Sequence, residues 1–417
     1  MNVLYVSYTG AMESLGASQV LSYLTALSED HQIDLISYEK PEDWSNERAR
    51  ARLAAALRAR GIHWHPLPYH RRFSHLATAY DVSRGVLLGR RLIQTRGIQI
   101  VHARSYVASV VARALQRSEG VRFIFDMRAF WPDERADIGA WSRTGPTYRV
   151  FKRLERDFLS NADAIVSLTE AGARVLEEDP GRPATMAKIT VIPTCADLDR
   201  FAPPATVPAP PLTVGYVGNA SGWYRFEPVA VAFSAILESD PSARLSIVNK
   251  GQHDQIRRVL TEHGVPQAAV DLRELDFDDV PQAIQQMHVG VFFLEPYPSK
   301  EASAPTRLAE FLGCGVPCLV RGGTGDAGRI VRDGNVGVVV DDATDATIRA
   351  AALQVMTLAY DAEARQRCVD TAQRVFSLEV GVQAYDTLYR RVGQGSLGAD
   401  SPASARLSDA THVSSNS

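Results

Sequence analysis

With 417 residues the chain is too long for one ordinary hydrophobic core and has room for two. Its 45% hydrophobic and 22% charged content is that of a globular protein, which excludes fibrous and low-complexity classes. A net charge of -3 leaves no basic footprint for nucleic acid, and no run of about 18 apolar residues marks a membrane span.

The opening MNVLYVSYTG has neither a basic start nor a long apolar stretch, so a cytoplasmic location is expected. From there, short apolar runs alternate with helical patterns: Val3–Ser7 before Ala17–Glu29, Ile33–Ser37 before Asn46–Arg60, Ile62–His65 before Ala77–Arg96, and Ile98–His102 before Tyr106–Arg117. Arg122–Asp126, a long helix near Tyr148–Ser160, Ala164–Leu168 and Ile189–Ile192 continue the series. Alternation at this interval builds βαβ units on a parallel sheet, so residues 1–195 are expected to form one Rossmann-like domain.

Ligands of such sheets bind beyond the C-terminal strand edges, and three segments fall there. Gly10–Ser18 joins the first strand to the first helix, where Gly16 lets backbone approach a ligand. It fits neither a dinucleotide fingerprint nor a P-loop. VHARSY places His102 and Arg104 at the end of the fourth strand, with a histidine buried for structural reasons as the alternative to a ligand contact. FDMRAFWPDERADIGAW follows the fifth strand with Asp126, Arg128, Trp131, Asp133 and Glu134. Aromatic faces beside carboxylates bind sugars, and a merely solvated loop would leave those aromatics half exposed. On the same domain His70-Arg71-Arg72-Phe73, near Arg84, Arg90, Arg91 and Arg96, is either ordinary surface or a peripheral contact for an anionic membrane.

Residues 196–211, within IPTCADLDRFAPPATVPAPP, are proline-dense and are expected to be an extended linker. A second strand series runs through Leu212–Val217, Leu245–Val248, Val270–Leu272, Val289–Phe293, Cys318–Val320 and Val336–Val340, which gives a second Rossmann-like domain over 212–371. Gly218 and Asn219 follow its first strand, where small residues offer backbone amides to a phosphate. Either Arg225 or Lys250 would balance that charge. Ala372–Val392 is expected as one helix long enough to cross back to the first domain, and 393–417 is polar, aperiodic and expected to be disordered. Cys314 and Cys318 lack a second ligand pair, so buried thiols are expected in place of a metal site.

EPYPSKEASAPTRLAEFLGCGVPCLV reads as loop, helix and strand. Ser303 is expected to cap the helix, with Pro305 in its first turn and Gly315 and Pro317 beyond its end. Leu308, Phe311 and Leu312 share one face, and Thr306, Ala309, Glu310 and Gly313 the other. Free amides at the helix start, beside Arg307, favour phosphate; Glu310, a turn further in, would repel phosphate and accept hydrogen bonds from a diol such as ribose. The plainer reading is a capped amphipathic helix with a solvated glutamate.

Ala302-Ser303-Ala304-Pro305-Thr306-Arg307, then Glu310-Phe311-Leu312 and Cys314-Gly315-Val316-Pro317, resembles the donor-site signature of the family-four glycosyltransferases, and the resemblance covers most of residues 1–392. It implies an α/β chain of the GT-B type: two facing Rossmann-like domains, an interdomain cleft and a last helix that crosses back. It implies a nucleotide-diphosphate sugar, UDP- or GDP-linked, as co-substrate, transfer with retention, and no obligatory metal. Carried onto this chain, Glu310 holds the ribose and Ser303, Thr306 and Arg307 the diphosphate end, with Gly16, Gly218, Asn219, Arg225 and Lys250 as further donor contacts. The common form has a second glutamate eight residues before Glu310; that position is Ala302, with Glu301 beside it. His102, Asp126 and Arg128 are the expected catalytic residues, and Arg104, Trp131, Asp133 and Glu134 the expected contacts of a saccharide or lipid-linked acceptor. The rival readings are a sugar-nucleotide 2-epimerase and a non-catalytic sugar-nucleotide-binding subunit.

Overall fold

The structure, a computed structural model, describes residues 1–70, 74–181 and 186–395. In the first domain β1 (Asn2–Ser7), β2 (Gln32–Glu39), β3 (Ile62–Pro68), β4 (Ile100–Arg104), β5 (Arg122–Asp126), β6 (Ala164–Ser167) and β7 (Ile189–Val191) form a parallel sheet in the order β3-β2-β1-β4-β5-β6-β7. Runs such as NVLYVS and RFIFD are buried from their second residue on because both faces of the sheet are covered. The two-residue period divides them: Leu4 and Val6 pack with Val101 and Phe123 on one face, Val3 and Tyr5 with Ile33 and Ile100 on the other.

The second sheet contains β8 (Thr213–Val217), β9 (Tyr224–Arg225), β10 (Arg244–Val248), β11 (Val270–Arg273), β12 (Val289–Leu294), β13 (Cys318–Arg321) and β14 (Gly337–Val340). Its order is β11-β10-β8-β12-β13-β14, with β9 antiparallel to β12. Each sheet reverses its winding once, between β1 and β4 and between β8 and β12, and the crevice for a ligand opens at such a point.

Six helices position the site: α1 (Ser74–Arg96), α2 (Trp131–Asp137), α3 (Glu170–Glu178), α4 (Thr306–Gly313), α5 (Ala362–Phe376) and α6 (Leu378–Gly393). The single helix expected over Ala372–Val392 is in fact the end of α5 and the whole of α6. Ser377 between them has extended backbone, its Oγ accepts from Val380 N at 3.2 Å, and Ala196 N donates to Phe376 O at 2.9 Å. A serine that caps a new helix ends the old one, and the break redirects the chain. Helix α6 then inserts Tyr385, Leu388, Tyr389 and Val392 into the first domain's core, so it does cross back.

All four cysteines are free and buried. Among the described residues no helix is long and apolar enough to cross a membrane. The tail from residue 396, and Arg71, Arg72 and Phe73 of the basic cluster, lie outside the described residues. His70 is described, and its Nδ1 is 2.6 Å from Asp81 Oδ1.

Candidate functional site

Helix α4 begins after Pro305, whose backbone is extended and which supplies no side-chain cap. Ser303 is not the cap, because its Oγ is turned to Glu134 Oε1 at 3.2 Å. Leu308, Phe311 and Leu312 are buried as their spacing requires, but so are Ala309 and Gly313. A Cβ on Gly313 would lie 2.5 Å from Phe201 O. The open face of α4 is therefore narrower than its periodicity suggests and consists of Thr306 and Glu310.

Both line a cavity of about 180 Å³ between the domains, with Ser18 and Gln19 on one wall and Asp197 and Arg200 on another. Glu310 is half-buried, and its carboxylate accepts no hydrogen bond among the described residues. Burial pushes its carboxyl up to about 7, against the pull of Arg307 and Arg200. An acceptor left open in a concave, interdomain space is available to a ligand hydroxyl.

Arg307 lies across the turn after β8. A Cβ on Gly218 would stand 1.9 Å from Arg307 Nη2, and Gly218 has φ +111°, so only glycine fits there. The guanidinium carbon is 3.9 Å from the Tyr224 ring centroid, and Nη1 is buried without a partner. Stacking on Tyr224 fixes a cation over the β8 turn while one N–H stays unspent, which suits an anionic ligand. Asn219 is exposed in that turn. Neither candidate for the second basic group is engaged with Arg307: Arg225 pairs with Glu227 and Glu295 at 3.4 Å, and Lys250 pairs with Glu274 at 3.4 Å, both exposed.

The segment before α4 is locked onto the first domain. Lys300 Nζ is 2.5 Å from Glu134 Oε1 and 3.8 Å from the Trp223 ring centroid. Ser299 Oγ donates to Asp137 Oδ2 at 2.5 Å. Asp326 accepts from Glu170 N at 2.7 Å and Ala171 N at 3.2 Å, so an acid of the second domain caps α3 of the first. Ala302, at the position of the family's other glutamate, is buried among the first domain's apolar residues. Glu301 carries its carboxyl into a cleft cavity of about 600 Å³, raised by burial and by Asp326.

Two expected acceptor contacts are used internally. Glu134 serves the Lys300 clasp, and Asp133 takes Tyr148 at 2.7 Å, Lys152 at 3.0 Å and Arg143 at 3.3 Å. Trp131 packs on Trp141 and Phe151 and borders a separate cavity of about 840 Å³ in the first domain, with Tyr8 and Tyr69. Gly16 also has an internal reason: a Cβ there would lie 1.9 Å from Gly10 O. In the same loop the Ala11 and Met12 amides donate to Glu39 at 2.9 and 3.1 Å, which sequence reading had not singled out.

His102, Arg104, Asp126 and Arg128 come together at the ends of β4 and β5, where register pairs Arg104 with Asp126. His102 Nδ1 is 2.7 Å from Tyr389 Oη, Tyr385 Oη donates to Asp126 Oδ2 at 3.1 Å, and His102 Nε2 is 3.5 Å from the same oxygen. His102 and Asp126 are each 1% exposed. Burial holds His102 below its usual range; burial raises Asp126, but Arg128 and His102 bring it net below. These two side chains therefore hold α6 against the sheet and do not reach an open cavity. Arg128 does reach the cleft wall, donating to Gln19 Oε1 at 3.1 Å.

Residues 16–195 match the sequence family described as a glycosyl transferase 4-like domain, and residues 211–357 match glycosyl transferases group 1. No curated protein sequence matches the chain. Among solved structures it resembles sucrose-phosphate synthase from Thermosynechococcus elongatus, with TM-score 0.73, 14% identity and coverage of 95% of this chain and 100% of that one. Anabaena HepE in complex with UDP and glucose gives 0.66 at 14%, over 94% and 99%. WaaG, a glycosyltransferase involved in lipopolysaccharide biosynthesis, gives 0.64 at 13%, over 92% and 99%.

Proposed function

This chain belongs to the family-four glycosyltransferases of GT-B fold, and from that premise we propose that it moves a sugar, with retention, from a nucleotide-diphosphate sugar to a saccharide or lipid-linked acceptor in polysaccharide or glycoconjugate synthesis. The observation that carries the donor assignment is the pairing of an unspent Arg307 guanidinium over Gly218 with an unbonded Glu310 one turn away on the same helix. That spacing suits a diphosphate at the α4 start and a ribose at Glu310. UDP is the favoured nucleotide, since the similar HepE binds it.

The catalytic contribution is stabilisation of the departing diphosphate by Arg307 and the α4 amides, which makes a metal unnecessary for charge balance, together with orientation of the acceptor hydroxyl. In this reading Arg128, which donates to Gln19 of the cavity wall, is the first-domain residue that meets substrate. His102 and Asp126 act through it and through α6 as positioning residues. Peripheral membrane contact is supported by α1, whose Leu76, Tyr80 and Leu87 are exposed beside Arg84 and Arg91.

Incubation of the purified protein with a panel of UDP- and GDP-sugars tests the reading. Slow release of free nucleotide, accelerated by the right acceptor, is expected. An isomerised donor would instead establish an epimerase, and binding without turnover a non-catalytic subunit.

A further inference from the structure

Arg104 is a buried cation with too little negative charge around it. It is 8% exposed, its Nε has no hydrogen-bond partner, and it forms no ion pair among the described residues. The carboxylate that acts on it is Asp126, and Asp126 is shared: Tyr385, His102 and Arg128 all converge on its Oδ2, the last at 3.8 Å. His102 is held below its usual range, and burial pushes the Tyr5 and Tyr385 phenols up, so none of the three supplies a negative charge. Two guanidiniums thus share one carboxylate where water is nearly excluded, an arrangement that a protein fold alone does not favour.

The backbone gives an independent sign. Ser105 has φ 70° and Arg128 has φ 64°, both left-handed and neither a glycine. Ser105 directly follows β4 and Arg128 stands two residues beyond Asp126, the end of β5, on the strand edges where ligands of this architecture bind. Strained residues of this kind cluster at functional sites, where the surrounding structure fixes their direction. Arg128 also donates to Gln19, which lines the interdomain cavity with Thr306 and Glu310. The cationic pair therefore stands behind the first-domain wall of the donor cavity.

We propose that Arg104 and Arg128 form an oxyanion subsite that takes a carboxylate or phosphate group of a substrate bound in the cleft. Its occupant is either a phosphate of the donor or an acidic group on the acceptor. Only the identity of that substrate rests on the transferase reading; anion binding is measured without transfer, so the two fail separately.

The test is melting and calorimetric titration with inorganic phosphate and with glucuronate, in the presence and absence of saturating UDP, on the native protein, Arg104→Met and Arg104→Lys. Arg104→Met removes an uncompensated charge, so it should melt higher than the native protein when no anion is added. Native protein should bind at least one of the two anions saturably, Arg104→Met at least about tenfold more weakly, and Arg104→Lys should recover most of the difference. Binding that survives UDP assigns the subsite to an acidic acceptor, and binding displaced by UDP assigns it to the donor phosphate. The proposal is overturned by absence of saturable binding, by equal binding in Arg104→Met, or by an Arg104→Met protein that melts lower or does not fold.

Discussion

The Gly218–Arg307–Glu310 end of the cleft and the His102–Asp126–Tyr385 end are built from similar polar groups, but their polarity is spent differently. At the first, a carboxylate and a guanidinium N–H are left without protein partners, next to a cavity. At the second, two tyrosines from the far end of the chain each bond a buried partner out of reach of solvent, Tyr389 to His102 and Tyr385 to Asp126, while His102 Nε2 and Asp126 Oδ1 keep no hydrogen-bond partner among the described residues. Unspent polarity beside a cavity is a binding site, whereas side chains bonded across two segments and sealed from solvent are a fastening.

The sharpest separation comes from removing the fastening. Asp126→Ala leaves the Arg104 and Arg128 charges without their nearby carboxylate and the Tyr385 hydroxyl without its acceptor in a buried site, so a loss of about 3–5 kcal/mol is expected in urea denaturation. A variant of native stability would place Asp126 on the binding side of the division.

Glu310 is expected to cost stability instead of adding it. Its carboxyl stands at about 7 in the folded chain against an ordinary 4.5. Below pH 4.5 both states are protonated and the group contributes nothing; as pH rises from 4.5 to 7 the unfolded state ionises first, and the folded state loses ground. Without ligand, Glu310→Gln should therefore be more stable than the native protein at pH 8 by about 1–2 kcal/mol, after allowance for solvent in the cavity, and no more stable near pH 4.5. Chemical denaturation at the two pH values checks this, and a gap that is absent or reversed would count against an unpaired Glu310.

The smallest effect is expected at the exposed basic residues. Arg225→Ala and Lys250→Ala break surface pairs worth a few tenths of a kcal/mol, and nucleotide affinity should stay within about twofold. A larger loss in either, by equilibrium titration, would show that the ligand recruits that side chain.

The same contrast explains what the sequence could disclose. Strand alternation and the α4 motif are local, so both sheets, the crossover helix and the pair Arg307 and Glu310 were legible from spacing. Ser303 reads as a cap in the sequence because its competing partner, Glu134, is 169 positions away. Glu134 in turn reads as an acceptor contact until Lys300 is brought to it. Ala309 and Gly313 share the helical face of Glu310, and only the packing of Phe201 and Leu198 against Gly313 shows that part of that face is closed. Ser377 is the one missed boundary that carried a local signal: a serine before Leu-Glu-Val is a plausible cap within an otherwise continuous helical pattern.

Calorimetric titration of UDP and of uridine at pH 8, into native protein, Arg307→Ala and Glu310→Gln, measures whether the open end of the cleft is the donor site. Arg307→Ala should weaken UDP about ten- to a hundredfold and leave uridine nearly unchanged, whereas Glu310→Gln should weaken both by a similar factor because both carry the ribose. Native UDP affinity in Glu310→Gln would contradict the donor assignment.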